Sequence, residues 1–146
     1  LHTTTSVDID CPAADAFAVV SDFSRNPEWQ QGMVACRWTS EGGLALGATY
    51  EQEARFLGKA ILTTFEVTEL DPGRSVSIAS VVSTFPIRVT RSVQPLGEGR
   101  CRVTADVSGD PPWYLRMVPF MGVMMKRSIQ GDYERLKAML EDETRR

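Results

Sequence analysis

Apolar and polar residues alternate over Thr3–Asp10, with Val7 and Ile9 on one side and Asp8 and Asp10 on the other, which predicts a half-buried strand. Cys11-Pro12 stops that run. Ala13–Ser21 then carries Ala16, Phe17, Val19 and Val20, a short amphipathic helix with Pro12 near its start. Asp22–Gln31 reads as a second short helical turn around Asn26-Pro27-Glu28-Trp29, with Gly32 as its stop. From there the period returns to two. Val34, Cys36 and Trp38 share a face of the second strand, and Gly42-Gly43 and Gly47 mark the turns after it. In the third strand Tyr50, Gln52, Ala54 and Phe56 face one way and Glu51, Glu53 and Arg55 the other, before a Gly58-Lys59 hairpin turn. The fourth places Ile61, Thr63, Phe65 and Val67 inward and ends near the turn signal Asp71-Pro72-Gly73. The fifth has Val76, Ile78, Ser80 and Val82 on one face, and the sixth Phe85, Ile87, Val89, Arg91 and Val93. Gly97-Glu98-Gly99 turns the chain into a seventh strand of Cys101, Val103, Ala105 and Val107, and Asp110-Pro111-Pro112 ends the sheet.

Pro112–Glu143 reads as helix. Ile129, Tyr133, Leu136 and Leu140 recur at helical steps in its second half. Its first half is apolar nearly all round (Trp113, Tyr114, Leu115, Met117, Val118, Phe120, Met121, Val123, Met124 and Met125), and Pro119 should kink it or restart it there. Short connections between strands imply an antiparallel meander. The last helix then has one place to bury its stripe, the concave face of the sheet. The whole of residues 1–146 is read as a single α+β domain, with no linker, repeat or low-complexity tract.

Composition narrows the function. The net charge is −3 and no basic block occurs, which argues against nucleic-acid binding. Three cysteines, Cys11, Cys36 and Cys101, fit no zinc or redox spacing and read as reduced, buried small hydrophobes. Leu1–Asp10 is polar and alternating, unlike a signal peptide. The most apolar window, Trp113–Met125, is too short to span a bilayer and is interrupted by Arg116. A cytoplasmic protein without stable membrane insertion is expected.

The chain resembles the START-like superfamily, also called SRPBCC, and within it the polyketide cyclase/dehydrase and lipid-transport group. The resemblance covers nearly the whole chain. It rests on Cys11-Pro12 running into Asp15-Ala16-Phe17 and Val20-Ser21-Asp22, and on Asn26-Pro27-Glu28-Trp29 with Gly32-Met33 after it. It rests also on Val67 to Gly73, followed by Gln94-Pro95 and the Gly99 hairpin. The resemblance implies a helix-grip fold: a seven-stranded curved antiparallel sheet, two short helices and one long C-terminal helix. Members include lipid carriers, hormone receptors and polyketide cyclases, so function has to be argued from the pocket.

An apolar small molecule (a lipid, fatty acid or aromatic polyketide) held between sheet and C-terminal helix is the first expectation. Its candidate contacts are Trp29, Tyr50, Gln52, Phe56, Phe65, Ile78, Ser80, Phe85, Val89 and Arg91, with Met117, Met121, Met124 and Met125 from the helix. The methionines either line a cavity or fill a core. Arg91 either clamps a ligand anion or sits at the rim, paired or solvated. Trp29 sits near the pocket mouth or packs the short helices on the sheet. Trp113 and Tyr114 shape the far end of the opening.

No catalytic residue is assigned. The only histidine, His2, lies near an end expected to fray, and no metal-ligand cluster or phosphate loop is present, so no metal or cofactor is expected. One enzymatic alternative is a cyclase or dehydrase that acts by positioning a reactive chain with Tyr50, Gln52, Ser80 and Arg91. A weaker one is a protein-interaction module, a toxin or adaptor, using the Met-rich helix; an exposed Val118–Met125 face would support a homodimer.

Overall fold

Pro12 sets how the chain leaves its first strand. Strand β1 (His2–Ile9) ends just before it, and Pro12, at φ −62°, is the N-cap of α1 (Ala13–Val20). Helix α1 buries Ala16, Phe17, Val19 and Val20. Its end is held by Ser21, whose hydroxyl donates to the Phe17 carbonyl at 2.6 Å. The next segment, Phe23–Glu28, is a 3-10 turn begun by Asp22, which accepts from the Ser24 backbone N–H at 3.2 Å. The computed structural model describes residues 1–56 and 58–146, and the side chains of these except Phe56 and Leu115.

Six more strands follow: β2 (Met33–Trp38), β3 (Thr49–Phe56), β4 (Lys59–Asp71), β5 (Ser75–Val82), β6 (Ile87–Gly97) and β7 (Arg100–Gly109). They form one antiparallel sheet in the order β1-β7-β6-β5-β4-β3-β2. β2 to β7 is the expected meander, and β1 closes it by pairing with β7 from His2↔Ser108 to Ile9↔Cys101. His2 is therefore not frayed; it is a strand residue whose Nε2 lies 2.7 Å from Asp106 Oδ1. Register shifts interrupt the β4–β5 ladder at Thr64/Phe65 and Val67/Glu69, and such bulges bend a strand. Phe85, expected to begin the sixth strand, lies in the connection before it.

The apolar C-terminal segment is two helices. α2 (Trp113–Arg116) is one turn, and α3 (Met121–Arg145) restarts after Pro119. Phe120 at the junction takes φ 62°, an unusual conformation for a bulky side chain. Helix α3 buries Asp132, Tyr133, Leu136 and Leu140, the expected stripe with one acid added.

The molecule is an α+β helix-grip fold with two cores. One gathers Val7, Ile9, Cys11, α1, Trp29, Val93, Cys101, Val103 and Ala105 under Tyr133, Leu136 and Leu140. The other gathers Phe23, Ala48, Tyr50, Phe65, Val67, Val76 and Ile78. Cys11 and Cys101 are free thiols with sulfurs 4.0 Å apart, and burial pushes the Cys11 thiol up to about 12.

Candidate functional site

Strand pairing decides what shares the concave face. Trp38 lies opposite Tyr50, Tyr50 opposite Phe65, Gln52 opposite Thr63, and Ile78 opposite both Val67 and Val89. These residues divide into a filled part and an open part.

The filled part is aromatic. Tyr50 stacks between Phe23 (centroids 4.8 Å, planes 13° apart) and Phe65 (5.3 Å, 20°), with Trp38 edge-on at 5.8 Å. Burial raises the Tyr50 phenol well above its ordinary value, and Arg91 opposes that shift. Tyr50 is thus core, not an accessible proton donor.

Arg91 corrects the expectation of a rim position. It is 3 % exposed, in the middle of β6, opposite Val76 and Ala105. Its Nη1 donates to the Val20 carbonyl and to Asn26 Oδ1, each at 2.9 Å. The Val20 carbonyl ends α1 and would otherwise lack a partner, so a cation suits it. The guanidinium carbon lies 4.7 Å from the Phe23 ring centre and 4.8 Å from that of Trp29, an aromatic sandwich. Arg91 thereby joins the two cores. Trp29 is also buried, edge-on to Tyr133 at 5.0 Å, rather than at a pocket mouth.

Two polar residues that sequence reasoning missed complete this arrangement. Asn26 is buried and holds Arg91. Asp132, buried on α3, accepts from the Gln31 N–H at 3.0 Å and pairs with Arg135. Burial raises the Asp132 carboxyl, and these two partners oppose that. Asn26 was visible beside Trp29 in the Asn26-Pro27-Glu28-Trp29 motif; Asp132 left only an acid next to the Tyr133 stripe.

The open part lies beyond Phe65 and Ile78 on the same face. Gln52, Ser80, Phe85, Val89, Met121 and Met125 are half-buried; Val82, expected on the face of Ser80, is 65 % exposed and pairs with Thr64 after the register shift, which turns it to the other face. The Ser80 hydroxyl is engaged, accepting from the Ile87 N–H at 2.9 Å. Phe85 is seated over Gly109, where an added Cβ would come within 3.2 Å of its ring. Met117 and Met124 are 72 % and 53 % exposed. A run apolar on all sides carries no phase, and α3 restarts after Pro119. Trp113 and Tyr114 are exposed, and the Phe56 side chain lies outside the described residues.

The chemistry offered is therefore apolar contact with sparse polar anchoring by the half-buried Gln52. Among the described residues no three His, Cys, Asp or Glu side chains are grouped to hold a metal ion. Two surface recesses lie elsewhere: about 280 Å³ beside Asp22, Trp38 and Leu44, and about 600 Å³ beside Pro72 and Pro95.

The family model for polyketide cyclase/dehydrase and lipid transport proteins matches residues 1–141. The chain belongs to this family. A search of curated proteins returns no match. Among solved structures, a START superfamily protein from Mycobacterium smegmatis is similar at 18% identity and a TM-score of 0.74, covering 99% of this chain and 97% of that one. The Zhui aromatase/cyclase from a Streptomyces species is similar at 14% identity and a TM-score of 0.75, covering 97% and 93%. Ginseng major latex-like protein 151 from Panax ginseng is similar at 15% identity and a TM-score of 0.74, covering 96% and 97%. At these identities the likeness is one of fold. The family match supports a hydrophobic ligand-binding fold.

Proposed function

We propose that this family member binds and carries an apolar small molecule, a lipid, fatty acid or aromatic polyketide, on the open part of the concave face. One observation carries the reading: apolar side chains that point inward by strand register, Ile61 opposite Ala54 and Val89 opposite Ile78, are only half-buried. An uncovered apolar surface of that kind is stabilised by a hydrophobic guest. Gln52 would meet the guest's polar end.

Carriage is favoured over turnover. Of the groups a positioning cyclase would use, Tyr50 and Arg91 are sealed in the cores and the Ser80 hydroxyl already accepts a backbone bond. The three free thiols fit a reducing, cytoplasmic setting. Thermal melts with fatty acids and polycyclic aromatics test the reading. A ligand that binds the folded chain raises its Tm in proportion to the logarithm of its concentration. The expected result is a dose-dependent rise with at least one class, and a flat response across both would refute carriage.

A further inference from the structure

We infer that the apolar turn formed by α2 and the start of α3 docks this protein peripherally on an anionic lipid surface. The inference goes beyond cargo binding, because the residues concerned belong to α2, α3 and the turn between them, not to the sheet. Trp113 is 73 % and Phe120 78 % exposed, and Tyr114, Met117, Val123 and Met124 are exposed with them. Exposed apolar patches of that size mark interaction surfaces. Pro119 and the left-handed Phe120 keep α2 and α3 from running on as one helix, which leaves the aromatic tip on a turn. No helix among the described residues is long and apolar enough to cross a membrane, so insertion would be shallow.

Charge selects the occupant. From Pro111 to Gly131 the charged residues are Arg116, Lys126 and Arg127, with no acid, in a chain of net charge −3. Arg116 is paired with Asp110. Lys126 and Arg127 are exposed and make no ion pair among the described residues. Val123 and Arg127 stand one turn apart on α3, which sets an apolar contact beside a cation. Aromatic tips flanked by cations match the boundary between acyl chains and anionic headgroups. A second copy fits worse, because a two-fold contact would bring Lys126 and Arg127 against their own equivalents.

The test uses the full chain, stripped of ligand, in sedimentation with phosphatidylcholine vesicles with and without phosphatidylglycerol. Trp113 emission reports insertion. Binding to the anionic vesicles with a blue shift is expected, weakening in high salt. At roughly 1 kcal/mol per cation near such a surface, Lys126→Gln with Arg127→Gln should weaken binding about 20- to 30-fold. Trp113→Ala with Phe120→Ala should abolish the blue shift; both pairs are exposed, and unchanged circular dichroism would confirm folding. The inference would be overturned by no binding to anionic vesicles, equal binding to both vesicle types, wild-type affinity in the Lys126/Arg127 variant, or Trp113 shielded in a concentration-dependent dimer. Equal affinity for soluble poly-glutamate would assign the patch to an acidic protein and overturn it too. Because the vesicle arms use ligand-free protein, their failure leaves the thermal-shift test of carriage unaffected.

Discussion

The two ends of α3 meet the same sheet in opposite ways. From Gln130 onward the helix is pinned. Its stripe of Tyr133, Leu136 and Leu140 is buried against β1, β7 and α1. Lys137 Nζ donates to the Asp8 carbonyl at 2.8 Å, and Glu141 accepts from the Asp10 N–H at 2.9 Å. Arg135 donates to the Trp29 carbonyl at 3.2 Å, and Glu143 pairs with Arg25 at 3.0 Å. Before Gln130, among the described residues, no α3 side chain hydrogen-bonds to another element, and Val123 and Met124 stay exposed. The difference teaches that the hydrogen-bonded grip is made at one end, which leaves the other held by fewer ties.

Substitution should separate the ends most clearly. Leu136→Ala, at a fully buried position, should cost about 2–5 kcal/mol, while exposed Met124→Ala should change stability by less than about 0.5 kcal/mol. Urea denaturation of both reads the contrast. Equal losses would mean that the start of α3 is packed as tightly as its end.

Arg91 sits where the two cores meet. Arg91→Ala strips the donor from Asn26 Oδ1 and the Val20 carbonyl, both beyond the reach of water, and should cost about 2–4 kcal/mol. Arg91→Lys should not restore it, because an ammonium lacks the planar fork that stacks between Phe23 and Trp29. A variant that melts like wild type but loses ligand would return Arg91 to the role of ligand clamp.

A smaller effect depends on pH. Burial holds the Asp132 carboxyl above its ordinary 3.8 in the folded chain. A raised folded value means that this group favours folding most below 3.8 and loses that contribution as pH rises through the raised value. Asp132→Asn keeps an acceptor for Gln31 and removes the titration. Wild-type stability relative to the variant should therefore fall between acid and neutral pH, measured by urea denaturation. A difference that grows with pH would mean that Arg135 outweighs burial.

Much of this architecture is legible in the chain. Alternation placed the strands and their inward faces, because one face of each strand meets a core and the other meets water. Pro119 marked the helix restart. Depth was not legible. Alternation puts Arg91 inward but says nothing of whether α1 ends above it, and that tertiary fact turned a supposed rim residue into a buried cation. The exposure of Met117 and Met124 was hidden for a related reason: an apolar run on all sides specifies no direction.

The most direct test of the central claim is native mass spectrometry of the freshly purified chain beside Val89→Trp. Val89 is half-buried on the concave face at the margin of the second core, and an indole there would reach past that margin into the guest's space. The expected result is a lipophilic adduct on the wild type that is absent from Val89→Trp, with both chains folded. Bare wild-type protein, or an adduct that persists unchanged in Val89→Trp, would contradict binding at this site.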